Sequence, residues 1–191
     1  MGREFELKYA ATEHDLEILM EKYPHLTPIS METTYYDSPD GKLGDAHWTF
    51  RRRMENGLSV CTLKTPGDAL GHGEWEAECD DILASVALLL AEGAPQALAE
   101  LTAEGVAESC GARFTRLAGL IECEGATVEL ALDRGVLLGG GKSLSFAEVE
   151  VELKSGSIAG AVAFGEALAR EMNLKPEPRS KVARARMLAG K

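Results

Sequence analysis

The chain has 191 residues, 45% of them hydrophobic and 27% charged, with a formal net charge of -11. That length fits one domain with a core of its own, and no apolar run is long enough to span a membrane. The acidic balance argues against general binding to nucleic acid or membrane surfaces, both anionic, but leaves room for a local basic site that takes a small anion. No basic-then-apolar signal segment opens the chain. Cys61, Cys79, Cys110 and Cys123 lack C-x-x-C spacing, which reads as reduced thiols in a cytoplasmic protein rather than as zinc ligands.

In chain order, residues 3–10 (REFELKYA) place Glu4, Glu6 and Lys8 at every second position, with Phe5, Leu7 and Tyr9 between them. A period of two predicts a strand. Thr12 then suits the N-cap of a helix whose apolar face is Leu16, Leu19, Met20 and Tyr23. Pro24 and Pro28 bracket a loop. METTYYD follows as a strand that ends in the Ser38-Pro39-Asp40-Gly41 turn. Residues 47–54 and 58–64 read as two strands joined through Asn56-Gly57, a hairpin dipeptide. Residues 73–80 form a further strand. The Ala- and Leu-rich stretch from Asp81 splits at Gly93 and Pro95 into two helices. Strands return at ARFTRLAGLIEC, ATVELALDRG and SFAEVEVELKSG, the last two separated by the turn Gly139-Gly140-Gly141. SIAGAVAFGEALAREMN reads as a helix, and the tail PEPRSKVARARML as a short strand or a last helix. The sum is a mainly antiparallel α+β domain over residues 1–191.

The strands share one peculiarity. Glu148, Glu150 and Glu152 alternate with Val149, Val151 and Leu153; Glu129 and Asp133 oppose Val128, Leu130 and Leu132; Arg51 and Arg53 share a face, as do Thr62 and Lys64, and Glu74, Glu76 and Glu78. The helices need apolar strand faces to cover, so the charged faces lie opposite them. Two arrangements satisfy this: an open sheet with its charged face in water, or a barrel whose charged face lines the lumen. Periodicity leaves both open.

Seven motifs, in order along the chain, resemble those of the CYTH superfamily of triphosphate tunnel metalloenzymes. Glu4-Phe5-Glu6-Leu7-Lys8 is similar to its Glu-x-Glu-x-Lys signature, and Tyr35-Tyr36-Asp37-Ser38-Pro39-Asp40 to Tyr-Tyr-Asp-Thr-Pro-Asp. Phe50-Arg51-Arg52-Arg53 and Thr62-Leu63-Lys64 stand where the family has Leu-Arg-x-Arg and Thr-Leu-Lys. Leu132-Asp133-Arg134-Gly135, Glu148 to Glu152, and Ser180-Lys181 with Arg184 complete the series. The resemblance implies a closed eight-stranded antiparallel β-barrel with flanking helices, a tunnel into which Glu4, Glu6 and Lys8 look. It is strongest to bacterial inorganic triphosphatases, some of which carry a further C-terminal domain, and it implies that this chain is the catalytic domain alone.

The implied activity is hydrolysis of inorganic triphosphate to pyrophosphate and phosphate with Mg²⁺ or Mn²⁺. Hard cations take carboxylate oxygens. The expected metal ligands are Glu4, Glu6, Asp133, Glu148 and Glu150, with Glu152 ranked below them as a solvated glutamate, Glu129 undecided between lumen and rim, and Glu74 on the acidic wall. Arg and Lys suit phosphate, so the expected substrate ligands are Lys8, Arg51, Arg53, Lys64, Arg116, Lys181 and Arg184. Lys8, Glu6 and Glu150 are the expected catalytic residues, holding the ion and orienting water. Parity turns Arg52 and Arg134 outward. His14, His25, His47 and His72 sit in helix or turn contexts without ligand spacing, and no P-loop or Gly-x-Ser-x-Gly motif occurs. The partner expected is a small-molecule triphosphate, with no nucleic acid and no membrane, bound by a monomer or homodimer. Thiamine triphosphate hydrolysis and ATP cyclisation are the alternatives on the same fold. A non-catalytic sensor of nucleotide or polyphosphate is the alternative of another class.

Overall fold

The computed structural model describes the backbone of residues 2–68 and 71–190 and the side chains of residues 5–67 and 73–190. The strands are β1 (Gly2–Glu4), β2 (Glu6–Ala10), β3 (Thr27–Asp37), β4 (Thr49–Glu55), β5 (Leu58–Asp68), β6 (Gly71–Glu78), β7 (Ala107–Cys123), β8 (Ala126–Gly139), β9 (Lys142–Gly156) and β10 (Lys175–Pro176). The helices are α1 (Glu13–Lys22), α2 (Lys42–Asp45), α3 (Ala84–Ala91), α4 (Ala97–Leu101), α5 (Ile158–Met172) and α6 (Lys181–Leu188). Every strand pair is antiparallel, and the ten strands form one sheet in the order β1-β6-β5-β4-β3-β7-β8-β9-β2-β10.

Local chemistry accounts for the element ends. Thr12 caps α1 in a capping box: its hydroxyl accepts from the Asp15 N–H at 3.2 Å, and the Asp15 carboxylate accepts from the Thr12 N–H at 2.8 Å. Asn56 and Gly57 both adopt positive φ, at 49° and 91°, the geometry of a tight primed hairpin turn between β4 and β5. Ser157 and Ser180 cap α5 and α6 through their hydroxyls.

Four sequence expectations need correction. The expected single strand over 3–10 breaks at Phe5, so that β1 pairs with β6 while β2 pairs with β9. The ladder of hydrogen bonds therefore ends at β1 and β10 rather than returning on itself, and the sheet has ten strands rather than a hydrogen-bonded ring of eight. The physical reason is brevity: β1 and β2, of three and five residues, each meet a different end of the sheet, and Phe5 between them bonds its carbonyl to the Leu153 N–H at 2.9 Å. Pro28 lies within β3, opposite Leu117, rather than in a loop; as the second residue of its strand it sits where a missing N–H is tolerated. His72 belongs to strand β6 rather than to a turn. The tail, left between strand and helix, forms α6.

The two faces of the strands answer to two environments. Tyr9, Val128, Leu130, Leu132, Val149 and Val151 are buried against Leu16 and Leu19 of α1 and Ala161 and Leu168 of α5. Phe50, Leu63 and Trp75 pack with Leu89 of α3 and Leu98 of α4. These apolar faces leave the alternate residues of the same strands on the opposite side of the sheet. Against that opposite side packs α6: its Val182 and Ala185 join Met31, Tyr35, Phe114, Leu137 and Phe146. Burial of this apolar area supplies the drive that holds the charged face inward, at roughly 25 cal/mol per Å².

Candidate active site

The charged faces surround a cavity of about 660 Å³, lined by residues of β2, β3, β4, β5, β6, β7, β8, β9 and α6. One wall is basic and built from in-register rungs. Tyr35, Arg51, Thr62 and Glu76 lie side by side across β3, β4, β5 and β6, and the next rung holds Thr49, Lys64 and Glu74. Lys64 Nζ is 3.2 Å from Glu74, and Arg51 is 3.6 Å from the same carboxylate. Arg53 stands 3.6 Å from Glu76 and also pairs with Glu55. Burial, and then the neighbouring Arg51, lower the Arg53 pKa from its ordinary value. A cation held beside another cation is primed for an anion.

The other wall carries three rungs across β7, β8, β9 and β2. Arg116, Asp133 and Glu148 form the first, Glu150 and Lys8 the second, and Glu129, Glu152 and Glu6 the third. Asp133 and Glu148 are wholly buried and Glu150 is 9% exposed. Their oxygens lie within 4.8 Å of one another. Three cations meet them. Arg116 donates through Nε and Nη2 to the two oxygens of Asp133, both at 2.8 Å, and also pairs with Glu150. Lys181 Nζ is 2.7 Å from Asp133 and 2.8 Å from Glu150, and pairs with Glu148 as well. Arg184 pairs with Glu148. The ammonium of Lys181 lies 5.1 Å from the Phe114 ring and 5.6 Å from that of Phe146, so aromatic faces supplement the carboxylates.

Charge decides how these groups titrate. For Glu150, burial favours the neutral acid, but Lys181, Arg116 and Lys8 overcome it and hold the carboxyl well below its usual range. Glu148 goes the other way: burial and the adjacent Glu150 raise it more than Lys181 and Arg184 lower it. Burial would deprotonate Lys181, yet Asp133, Glu150 and Glu148 outweigh it and raise its pKa. Arg116 is likewise raised, with Asp133 and Glu150 outweighing its burial.

The model of the CYTH domain matches residues 2–185. The chain belongs to the CYTH family. It is 27% identical over 198 residues to an inorganic triphosphatase of Haemophilus influenzae, a match that covers 100% of this chain and 56% of that protein. This chain thus spans about half the length of that curated relative. Among solved structures it is similar to a Hippeastrum protein described as having a dominant triphosphatase activity, at TM-score 0.73 and 17% identity over 97% of this chain and 96% of that one. A Pyrococcus horikoshii protein is similar at TM-score 0.63 and 22% identity, covering 98% and 99%. At such identities both likenesses speak to the fold.

Within this CYTH chain the residues singled out by sequence are distributed as follows. Glu6, Lys8, Arg51, Arg53, Lys64, Arg116, Glu150 and Lys181 line the cavity. Asp133 and Glu148 lie beneath its wall with no exposure, and Arg184 joins them through Glu148 instead of lining the cavity. The side chain of Glu4 lies outside the described residues. Glu6 stands one rung from Glu150 and is not part of the acidic group of Asp133, Glu148 and Glu150, which is the one such group among the described residues. Those hard oxygens fit Mg²⁺ or Mn²⁺ by donor type.

Glu152, ranked low by sequence, and Glu129, left undecided between lumen and rim, both face the cavity. Glu152 lines it and meets Lys154 at 2.7 Å; Glu129, in register with Glu152, lines it too. The parity of β9 was the available signal, since Glu152 shares a face with Glu150. His47 also lines the cavity, with φ of 57°, in the left-handed region. It continues the parity of Arg53, Arg51 and Thr49 just ahead of β4, which sequence could have shown. Arg134 is exposed, and Arg52 donates to the Asp80 carbonyl at 2.9 Å, away from the cavity rungs.

Proposed function

We propose that this chain is a divalent-metal-dependent triphosphatase that hydrolyses inorganic triphosphate to pyrophosphate and phosphate. The observation that carries the reading is a single cavity where Lys8, Arg51, Arg53, Lys64, Arg116 and Lys181 converge from five strands or helices beside Glu6 and Glu150. So many cations in one enclosure exceed what a monophosphate or carboxylate would occupy. The whole of residues 1–191 acts as one CYTH domain, its sheet curled into a tunnel in which β1 and β2, joined through Phe5, belong to the two ends of the strand order. The family match and the named triphosphatase relative support this reading.

The basic wall of Arg51, Arg53 and Lys64 grips successive phosphates from one side, and Arg116 and Lys181 from the other, with Arg184 bracing Glu148 behind them. Asp133, Glu148 and Glu150, with Glu6 nearby, would hold Mg²⁺ or Mn²⁺. Bound there, such an ion would supply charge neutralisation for the phosphates and a more acidic water. Lys8, opposite Glu150 in register, fixes the orientation of the terminal phosphate. Incubating the purified chain with triphosphate, ATP and thiamine triphosphate in parallel, with Mg²⁺ and with Mn²⁺, tests the reading. Phosphate release from triphosphate well above the other two supports it, and release from none of the three refutes it.

A further inference from the structure

Asp37 sits at the end of β3, remote in sequence from every residue of the cavity's acidic wall, and the chemistry proposed above leaves it without a task. Its two oxygens do different things. Oδ1 accepts from the backbone N–H of Ser38 at 2.9 Å and of Gly44 at 3.1 Å, which ties down the loop holding α2. Oδ2 faces Arg186 Nη2 of α6 at 3.4 Å, and both side chains are largely buried, at 13% and 18% exposure. Gly44 makes the space for this pair: a Cβ there would stand 2.7 Å from Asp37 Oδ2 and 3.2 Å from Arg186 Nη1.

A second constraint acts on α6. A Cβ on Gly139 would meet the Ala185 carbonyl oxygen at 2.1 Å, and one on Gly140 the Ala189 Cα at 2.7 Å. The helix is therefore seated on bare backbone of the β8–β9 hairpin and also held by a charge, that of Asp37. It carries Lys181 and Arg184, whose cationic ends reach Asp133, Glu148 and Glu150. A shift of the helix by a fraction of its pitch would move Lys181 off the cavity wall and Arg184 off Glu148. The α2 loop in turn leads directly into β4, which bears Arg51 and Arg53. One carboxylate thus links the element behind each basic wall.

We infer that Asp37 and Arg186 are positioning residues that latch α6 and so set the spacing between the two phosphate-gripping walls. The inference rests on the triphosphate reading of Lys181. Asp37→Asn keeps the oxygen that accepts the two backbone N–H groups and removes the charge that Arg186 meets, so it opens the latch without unmaking the loop. Binding of inorganic triphosphate in EDTA, where no turnover occurs, is measured by calorimetry. Losing one well-placed charge-assisted contact predicts an affinity about tenfold weaker. Arg186→Ala should match it, Arg186→Lys should retain most of the affinity, and the Asp37→Asn/Arg186→Ala double variant should lose no more than either single one. In a Lys181→Met background, Asp37→Asn should cost little further affinity, which a merely structural role would not predict. Wild-type affinity in Asp37→Asn overturns the latch, as do additive losses in the double variant, a cycle that does not depend on Lys181→Met folding. Normal triphosphate binding by folded Lys181→Met is a different failure: it overturns the triphosphate reading of α6, and the latch with it.

Discussion

Replacing Lys181 with Met probes the buried cluster of carboxylates and cations. In the intact cluster three carboxylates, Asp133, Glu148 and Glu150, face three cations, Arg116, Lys181 and Arg184, so the buried group is neutral as a whole. Met keeps the aliphatic stem between Phe114 and Phe146 but leaves three carboxylates with two guanidiniums. Arg184 still meets Glu148, so the surplus charge falls on Asp133 and Glu150, which must share Arg116, with only Lys8 acting on Glu150 besides. Removing one partner of a buried pair costs about 3–5 kcal/mol. For a chain of this size each kcal/mol lowers Tm by roughly 2–4 °C, so the melting temperature should fall by roughly 10 °C. The companion variant is Lys181→Met/Glu150→Gln, which restores the balance: Asp133 keeps its two bonds from Arg116, and Glu148 keeps Arg184. It should recover about 1–3 kcal/mol of the loss. Urea unfolding at pH 7 without metal measures all three. Additive losses in the double variant, or a loss under about 1 kcal/mol in Lys181→Met, would refute the charge-balance account of the cluster.

Three further outcomes are expected. Glu6→Gln should lower the rate of triphosphate hydrolysis at saturating metal by at least about a hundredfold, whereas Glu17→Gln, on the solvent face of α1, should leave it unchanged; steady-state kinetics with each metal checks both. Triphosphate should exceed pyrophosphate in kcat/KM by about a hundredfold or more, because a shorter ligand strands cations of the basic row, and Arg53→Ala should narrow that gap. On acidification, Glu177 is informative: bonding to Arg179 holds its carboxyl at about 2 against 4.5 for the free group. A depressed carboxylate stabilises the fold above its unfolded pKa, and that stability is lost as pH falls through the folded one. Glu177→Gln should therefore melt below the wild type at pH 6, with the difference shrinking between pH 4.5 and pH 2; a gap independent of pH would show that the Glu177–Arg179 pair contributes nothing.

What periodicity encodes is which residues share a face, and that much was legible. Glu148 and Glu150, Arg51 and Arg53, and Glu6 and Lys8 lie on the inner side of their strands because Val149 and Leu7 between the acidic and mixed pairs, and Phe50 beside Arg51, are drawn to the helices. Caps and turns were legible for the same local reason: the Thr12 hydroxyl bonds within its own first turn, and Asn56-Gly57, like Gly140-Gly141, tolerates two successive positive φ angles. Adjacency was not legible, since it depends on which strand lies beside which. Arg116 meets Asp133 because β7 and β8 pair in that register, and Glu129 and Glu6 come to flank Glu152 only once β8, β9 and β2 are side by side. The tail is the sharpest case. Lys181, Arg184 and Arg186 fit a strand or a helix equally well as a string of residues; the helix wins because the inward face of the sheet offers Phe114, Phe146 and Leu137 to Val182 and Ala185, and buried carboxylates to its cations. The same packing decides that Arg186 turns to Asp37 rather than to the acidic cluster. Faces follow from the local alternation of side chains, but which charges meet is settled by strand pairing and helix docking over long separations, and only the assembled sheet supplies those.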